Sequence, residues 1–346
     1  MPESREPLTD ISVVELSDEE RELFRSEITP VTANPYQAFD PFIDQVRERP
    51  RALPERMRSA LADLRAARGP GALLVRNLPI PHDLPPTPRR SFAALPEIRA
   101  VGTEAVLACA ADALGEPFSY LEWDSGHLVH NKYPIQAHRD LQFGSNAVEF
   151  LLHTETPFRD VSPDYLALLC LRADPTGRAK TRVADIRRVV GTLSEAEIAV
   201  LARPRYAFET DNPVVVLDGR GLTEPQPIIS ERDGTRVIEY VGDLVATDAE
   251  SQRALDDLGR RVLATAVDIA LERGDLLVLD NGRVVHGRNA IVPAYDGTDR
   301  WLQRMLVTTR LLDGTHRAEG RLVSDRRYAN YPTDYRQALR QPAARS

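Results

Sequence analysis

From about residue 14 to residue 67, apolar positions recur every three or four residues with charged ones between them, the period of amphipathic helices. LSDEERELF puts Ser17 at an N-cap with Glu20 three residues on, the reciprocal capping-box pattern. Leu53 to Ala67 (LPERMRSALADLRAA) has the same helical spacing. GALLVRNLPI then predicts a strand, HDLPPTPRR a proline-rich connection, and ALPEIRAVGTEAVLACAADALG a further helix stopped by Gly115. Beyond Gly115 the texture changes to short strand-like runs between turns: HLVHNKY, VEFLLHTE, DYLALLCL, RVIEYVGD, DLLVLDNG and LQRMLVTTRLL. One helix, DAESQRALDDLGRRVLATAVDIALERG, interrupts them. Many short strands with turn signals indicate a sandwich or barrel. The pattern therefore predicts a mainly β, α+β chain, largely helical over 1–115, with its β core over 116–315. Residues 203–236, rich in Pro, Gly and charge, are expected to form a long loop of the kind used as a lid.

Length and composition narrow the picture. At about 150 residues per domain, 346 residues suggest two domains, but large β barrels use such lengths as one unit; with no internal repeat, residues 1–346 are read as a single domain. A net charge of −8 argues against a broad grip on nucleic acid, which needs clustered Lys and Arg. The two cysteines, Cys109 and Cys170, sit in apolar runs and are expected to be buried thiols, not a disulfide framework. The polar, acidic N-terminus has no apolar signal region, and no run approaches the roughly 18 apolar residues of a membrane span. A cytoplasmic chain is expected.

The candidate chemistry is metal binding. Two His and one carboxylate on one face of a metal leave coordination sites open, the arrangement of non-haem Fe(II) oxygenases. In a strand, residues i and i+2 point to the same side, so a His-x-carboxylate pair can supply two ligands. Two pairs compete: His138-Arg139-Asp140 and His153-Thr154-Glu155. The second ends the apolar run VEFLLH, whose backbone would hold a site rigidly, whereas the first lies in the polar, turn-prone IQAHRDLQFGSN. For the third ligand, His82 and His316 sit in loop-like sequence, and the three-residue offset of His127 and His130 puts them on opposite strand faces. His286 follows Asn281-Gly282, a strong hairpin signal, and is the best third ligand available.

At this point the residues resemble a known family. VEFLLHTETPF, then SPDYLALLCLRADP, then LLVLDNGRVVHGRNAIVPAYDGTDRWLQRMLV are similar to the clavaminate synthase-like dioxygenases, a family that includes hydroxylases of free arginine, lysine and asparagine. The similarity runs from about Gly71 to Arg310. It implies a double-stranded β-helix (jelly roll), iron(II) held by His153, Glu155 and His286, and 2-oxoglutarate and O2 as cosubstrates. The family's use of Glu where most relatives have Asp supports HTE over HRD.

The resemblance also assigns binding residues. Arg300, 14 residues after His286, matches the family's partner for the far carboxylate of 2-oxoglutarate, and Thr181, in RAKTRV, matches its hydroxyl partner. Arg304, an even offset from Arg300 and so on the same strand face, would hold the α-carboxylate of an amino-acid substrate. Glu122, in YLEWDSG, would bind its α-amino group. Asp243, in EYVGDLV, falls near the residues by which relatives recognise basic or amide side chains, and Gly144, Ser145 and Asn146 would line the same pocket, although the stretch before HTE is one residue longer than in some relatives. The implied activity is hydroxylation of C3 or C4 of a free L-amino acid or close derivative.

Other readings compete with this one. HRDLQFGSN superficially matches a kinase catalytic loop, but that motif has four residues between Asp and Asn, against five between Asp140 and Asn146, and no Gly-rich loop or DFG is present. Desaturation, cyclisation or a carrier-bound substrate would use the same cofactors and residues. A non-catalytic jelly roll that merely contains metal would bind iron without turnover.

Overall fold

The computed structural model of the chain describes residues 11–90, 99–120, 126–140, 147–157, 161–208, 223–232, 234–310, 315–316 and 322–323. The N-terminal region holds β1 (Ser12–Glu15), α1 (Asp18–Ile28), α2 (Phe39–Arg47), α3 (Glu55–Arg65), β2 (Ala72–Arg76) and α4 (Glu104–Leu114). Strands β3 (Glu116–Tyr120), β4 (His130–Lys132), β5 (Phe150–His153), β6 (Tyr165–Arg172) and β7 (Thr181–Ala184) follow. Next come α5 (Ile186–Val190), α6 (Glu195–Leu201), β8 (Tyr206–Phe208), β9 (Ile229–Arg232), β10 (Thr235–Ile238), β11 (Leu244–Ala246) and α7 (Ala249–Ala264). The last elements are β12 (Val267–Ile269), β13 (Leu276–Asp280), β14 (Val285–Arg288), β15 (Trp301–Thr308), β16 (Thr315–His316) and β17 (Leu322–Val323).

Two sheets form the scaffold. The larger has nine strands, in the order β1–β2–β13–β6–β15–β3–β17–β16, with β4 also paired to β15; the smaller runs β12–β7–β14–β5. The apolar runs in the sequence belong to strands covered on both faces. In β6, Ala167, Leu169 and Leu171 face the layer of α1 to α4, while Leu166, Leu168 and Cys170 face the small sheet. β13 divides likewise, Leu276 and Val278 outward, Leu277 and Leu279 inward. The period of two thus persists inside a continuous hydrophobic stretch. A third cluster, including Leu152, Val285, Leu255 and Leu258, packs α5 to α7 under the far face of the small sheet. Both cysteines are buried and unpaired, and burial pushes each thiol up to about 12, so they act as apolar filler. No helix among the described residues is long and apolar enough to cross a membrane.

The Ser17 capping box is present in both directions: Ser17 Oγ accepts from Glu20 N at 3.1 Å, and Glu20 Oε2 accepts from Ser17 N at 2.8 Å. Elsewhere the structure corrects the predicted elements. Val14 and Glu15 lie in β1, paired in parallel with β2, because the helical period begins only after Ser17. The α4 helix starts at Glu104, behind Gly102 in the left-handed region (φ 85°). The long helix expected over residues 248–274 stops at Ala264, since Val267 and Ile269, in β12, pair with Val183 and Thr181 of β7. Asn281-Gly282 is not a hairpin turn: neither residue has positive φ, and β13 and β14 belong to different sheets, so the segment is a corner between them. Within the loop expected at 203–236, the described residues include β8, which pairs with β11, and β9, which pairs with β10; residues 209–222 and 233 of that loop lie outside the described ones.

Candidate metal centre

His153 ends β5 and His286 lies in β14, directly opposite it in the antiparallel register. Such close approach needs Gly287, where a Cβ would come within 2.5 Å of the Phe150 carbonyl oxygen. The imidazole centroids are 4.4 Å apart, and Phe150 covers the His153 ring at 4.2 Å. Glu155 is not on the strand, contrary to the i, i+2 expectation, because β5 ends at His153. A pinned turn places it instead. Asn281 Oδ1 accepts from Glu155 N at 2.7 Å, and its Nδ2 donates to Glu155 O at 3.1 Å and to Pro163 O at 3.0 Å. The next residue, Thr156, has φ 49°, a strained value for a β-branched side chain, and its Oγ1 lies 2.9 Å from the Tyr120 hydroxyl.

His153, Glu155 and His286 are all buried, and a ligand atom from each lies within 4.8 Å of the other two. Glu155 divides its oxygens. Oε2 faces both imidazoles, 3.8 Å from His153 Nε2 and 3.5 Å from His286 Nε2, while Oε1 accepts from Arg304 Nη1 at 2.6 Å. Burial alone would raise this carboxyl, but Arg304 and the two imidazoles hold it well below the usual carboxylate range. Burial and the neighbouring His153 push His286 down to about 4, so at neutral pH it is an uncharged imidazole with a lone pair to offer. His153 Nδ1 lies 2.7 Å from Leu151 O; the N–H placed there by this contact leaves Nε2 to ligate. His286 Nδ1 is buried without a hydrogen-bond partner among the described residues, so its ring is held by packing. One carboxylate oxygen and two imidazole Nε2 atoms converging from one side suit a divalent metal that keeps open positions.

The two arginines come from the large sheet. On β15, Leu302 and Leu306 face the small sheet and Met305 and Val307 the helices, so the even-numbered Arg304 turns toward the metal cluster. Arg300, just before the strand, is 4% exposed and donates through Nη2 to Thr181 Oγ1 of β7 at 2.9 Å. Asp243 is partly buried, two residues past Val241, which bridges to His153, and with burial it helps push Tyr240 up to about 12. Glu122, Gly144, Ser145 and Asn146 lie outside the described residues. The rejected pair is elsewhere: Asp140 is exposed and bonded to Arg139.

Sequence reasoning missed two residues. Asn281 is legible as a member of DNG, but as a turn former, whereas its side chain fixes Glu155. His130, poorly placed as a ligand by its spacing, is fully buried and faces Arg304 across the β4–β15 pair, a place that its position in the alternating HLVH run could have signalled.

A two-His, one-carboxylate cluster between two sheets, with the part-buried Arg304 bonded to its carboxylate, defines the non-haem metal oxygenase class. The chain belongs to the taurine catabolism dioxygenase TauD, TfdA family, whose pattern matches residues 48–306. It is 36% identical over 288 residues to the L-asparagine oxygenase of Streptomyces coelicolor, covering 82% of this chain and 84% of that one. To the L-lysine 3-hydroxylase of Catenulispora acidiphila it is 32% identical over 307 residues, 86% of this chain and 84% of the relative. Among solved structures, asparagine oxygenase in complex with Fe(II), 2S,3S-3-hydroxyasparagine and succinate superposes with a TM-score of 0.80 at 32% identity, over 90% of this chain and 99% of the other.

Proposed function

We propose that the chain is an Fe(II)- and 2-oxoglutarate-dependent dioxygenase that hydroxylates C3 or C4 of a free L-amino acid with a basic or amide side chain. The carrying observation is the buried His153–Glu155–His286 cluster with Arg304 bonded to Glu155, together with the Arg300–Thr181 pair that joins the same two sheets. Relatives named for asparagine and lysine, and a neighbour holding Fe(II), hydroxyasparagine and succinate, support the substrate class and cofactors. We read the two facing sheets as a double-stranded β-helix and the whole chain as one cytoplasmic catalytic unit.

His153, Glu155 and His286 would hold the iron. Ferrous iron bound there supplies oxidative decarboxylation of 2-oxoglutarate to succinate and CO2, one atom of O2 entering succinate and the other the substrate hydroxyl. The protein supplies orientation and dryness. Arg300 and Thr181 present a cation and a hydroxyl to the far carboxylate of the cosubstrate, a buried charge that an anion compensates. Arg304, with donors besides the one given to Glu155, would take the substrate α-carboxylate, and Glu122 its α-amino group. Asp243, Ser145 and Asn146 would meet its side chain. Leu168, Leu302 and Leu306 keep the space between the sheets apolar.

The test is incubation with Fe(II), 2-oxoglutarate, ascorbate and a panel of L-amino acids weighted to Arg, Lys, Orn, Asn and Gln, with succinate and product followed by mass spectrometry. Succinate coupled to one hydroxylated amino acid is the expected outcome. A product two hydrogens lighter would shift the assignment to desaturation or cyclisation. Succinate without product would move the search to carrier-bound substrates. Neither, with iron bound, would make the protein a binding module.

A further inference from the structure

We propose that His130 is the positioning residue of the site: as a neutral imidazole it grips one edge of Arg304 and thereby decides which edge of that guanidinium meets the substrate. This rests on the assignment of Arg304 to the substrate carboxylate given above. His130 lies on β4 directly opposite Arg304 on β15 in the antiparallel register, and it is fully buried. Its Nδ1 is 3.3 Å from Arg304 Nε and 3.0 Å from Arg304 Nη2. Its Nε2 is 2.8 Å from Ser119 Oγ on β3, which is also fully buried.

These contacts fix the chemistry of the ring. A guanidinium has five N–H donors and no acceptor, so the nitrogen facing it must carry the lone pair. A neutral imidazole with an open Nδ1 has its proton on Nε2, and Ser119 Oγ is placed to receive it. One imidazole lone pair therefore takes the Nε–Nη2 edge of Arg304. The end bearing Nη1 is turned to the metal cluster, where Nη1 donates to Glu155 Oε1. A carboxylate arriving from the cleft must then meet Arg304 end-on, because the side-on edge is occupied. A guanidinium on a flexible stem would otherwise rotate between two bidentate edges, and the substrate carbon would move with it. Backbone pairing of β4 to β15 holds the imidazole, Arg304 sets its tautomer and Ser119 Oγ accommodates it, so the constraint is built from rigid elements.

The first test is independent of any substrate. Protein labelled with 13C and 15N in histidine and loaded with zinc(II), a diamagnetic stand-in for iron, is read by ring 15N–13C correlation spectra, with His130→Asn identifying the His130 signals. The expected result at pH 7.5 is an unprotonated, hydrogen-bonded Nδ1 and a protonated Nε2. A proton on Nδ1, whether in the other tautomer or the imidazolium, overturns the proposal. The second test is kinetic. His130→Phe keeps the ring volume and removes the acceptor, and should raise the KM for the amino acid about tenfold or more, well beyond any rise in the KM for 2-oxoglutarate. His130→Asn, whose amide oxygen can stand where Nδ1 stands, should recover most of that loss, and Ser119→Ala should move the same constant by a smaller factor. Equal rises in both KM values, or no rescue by Asn, would reduce His130 to a packing residue. A wild-type enzyme that turns over no amino acid refutes the function proposed above, and the tautomer measurement then decides the His130 assignment by itself.

Discussion

The two sheets contribute opposite kinds of chemistry to one cleft. The small sheet brings acceptors: His153, His286, the Thr181 hydroxyl and, just past β5, the Glu155 carboxylate. The large sheet brings the cations Arg300 and Arg304. Two of the polar links between them, Arg304 with Glu155 and Arg300 with Thr181, take one partner from each side. On its other face β15 behaves differently. Gln303 faces the helices, where its Nε2 donates to Glu104 Oε1 at 2.9 Å and its Oε1 accepts from Thr103 Oγ1 at 2.7 Å. There an amide completes a satisfied network and tolerates burial without a ligand. We propose that the charge of these cations is met in turn by an anionic substrate and cosubstrate.

Removing the acceptors should have the largest effect. His153→Ala and His286→Ala each delete one of the three proposed ligands, so the loss of iron affinity should exceed the roughly 10–100-fold seen when outer partners of ligands are lost. Iron titration and turnover should fail together; a variant that keeps both would remove that residue from the centre. On the cation side, Arg300→Ala should act on one cosubstrate. Losing one partner of a buried charge pair costs about 2–5 kcal/mol, which is roughly 30-fold or more in the KM for 2-oxoglutarate. An unchanged KM would mean that Arg300 only braces Thr181. Asn281→Ala should fall below both, at roughly 3 kcal/mol of unfolding stability for three backbone groups, Glu155 N, Glu155 O and Pro163 O, left without their partner, with weaker iron binding. Stability lost without any change in iron affinity would show that the turn holds Glu155 unaided.

What was legible in the sequence follows from this division. Period-two alternation and short apolar runs reveal strands, and they identified β2, β5, β6, β13 and β15 because each is covered by packing on at least one face. The same alternation was expected to put Arg300 and Arg304 on one strand face. Arg300, however, lies just before β15, ahead of a register shift between Trp301 and Leu302, so alternation within the strand does not place it. Spacing failed where a side chain, not the strand, sets the geometry. His-x-Glu was expected to work through strand direction, yet Glu155 sits in a turn held by Asn281, 126 residues away in sequence. Asn-Gly was expected to close a hairpin, a local event, but the corner there is fixed by which sheets β13 and β14 join, a tertiary fact. Thr181 became a candidate only through family resemblance, since nothing in RAKTRV marks a hydroxyl that will meet an arginine from the other sheet.

The smallest effect sharpens the comparison at its margin, between two carboxylates linked through Asn281, Glu155 buried and Asp280 half-buried. Glu155 has Arg304 at 2.6 Å and stays ionised; Asp280, at the end of β13, accepts from Gly282 N at 3.0 Å, and burial pushes it up to about 6 against the pull of Arg283 and Arg187. A carboxyl whose folded pKa lies above its unfolded value of about 4 binds its proton more tightly in the native state. Its ionisation therefore destabilises the fold above about pH 6, and that penalty fades as pH falls from 6 towards 4. Asp280→Asn keeps an oxygen for Gly282 N and removes the charge. It should unfold at a higher denaturant midpoint than the parent at pH 8, by about 1–2 kcal/mol once partial exposure is discounted, and the advantage should vanish near pH 4. An Asn variant less stable than the parent at pH 8 would show that Arg283 and Arg187 pair with Asp280 as Arg304 pairs with Glu155. Close cationic compensation would then extend to the corner outside the cleft, and the contrast between the two carboxylates would be lost.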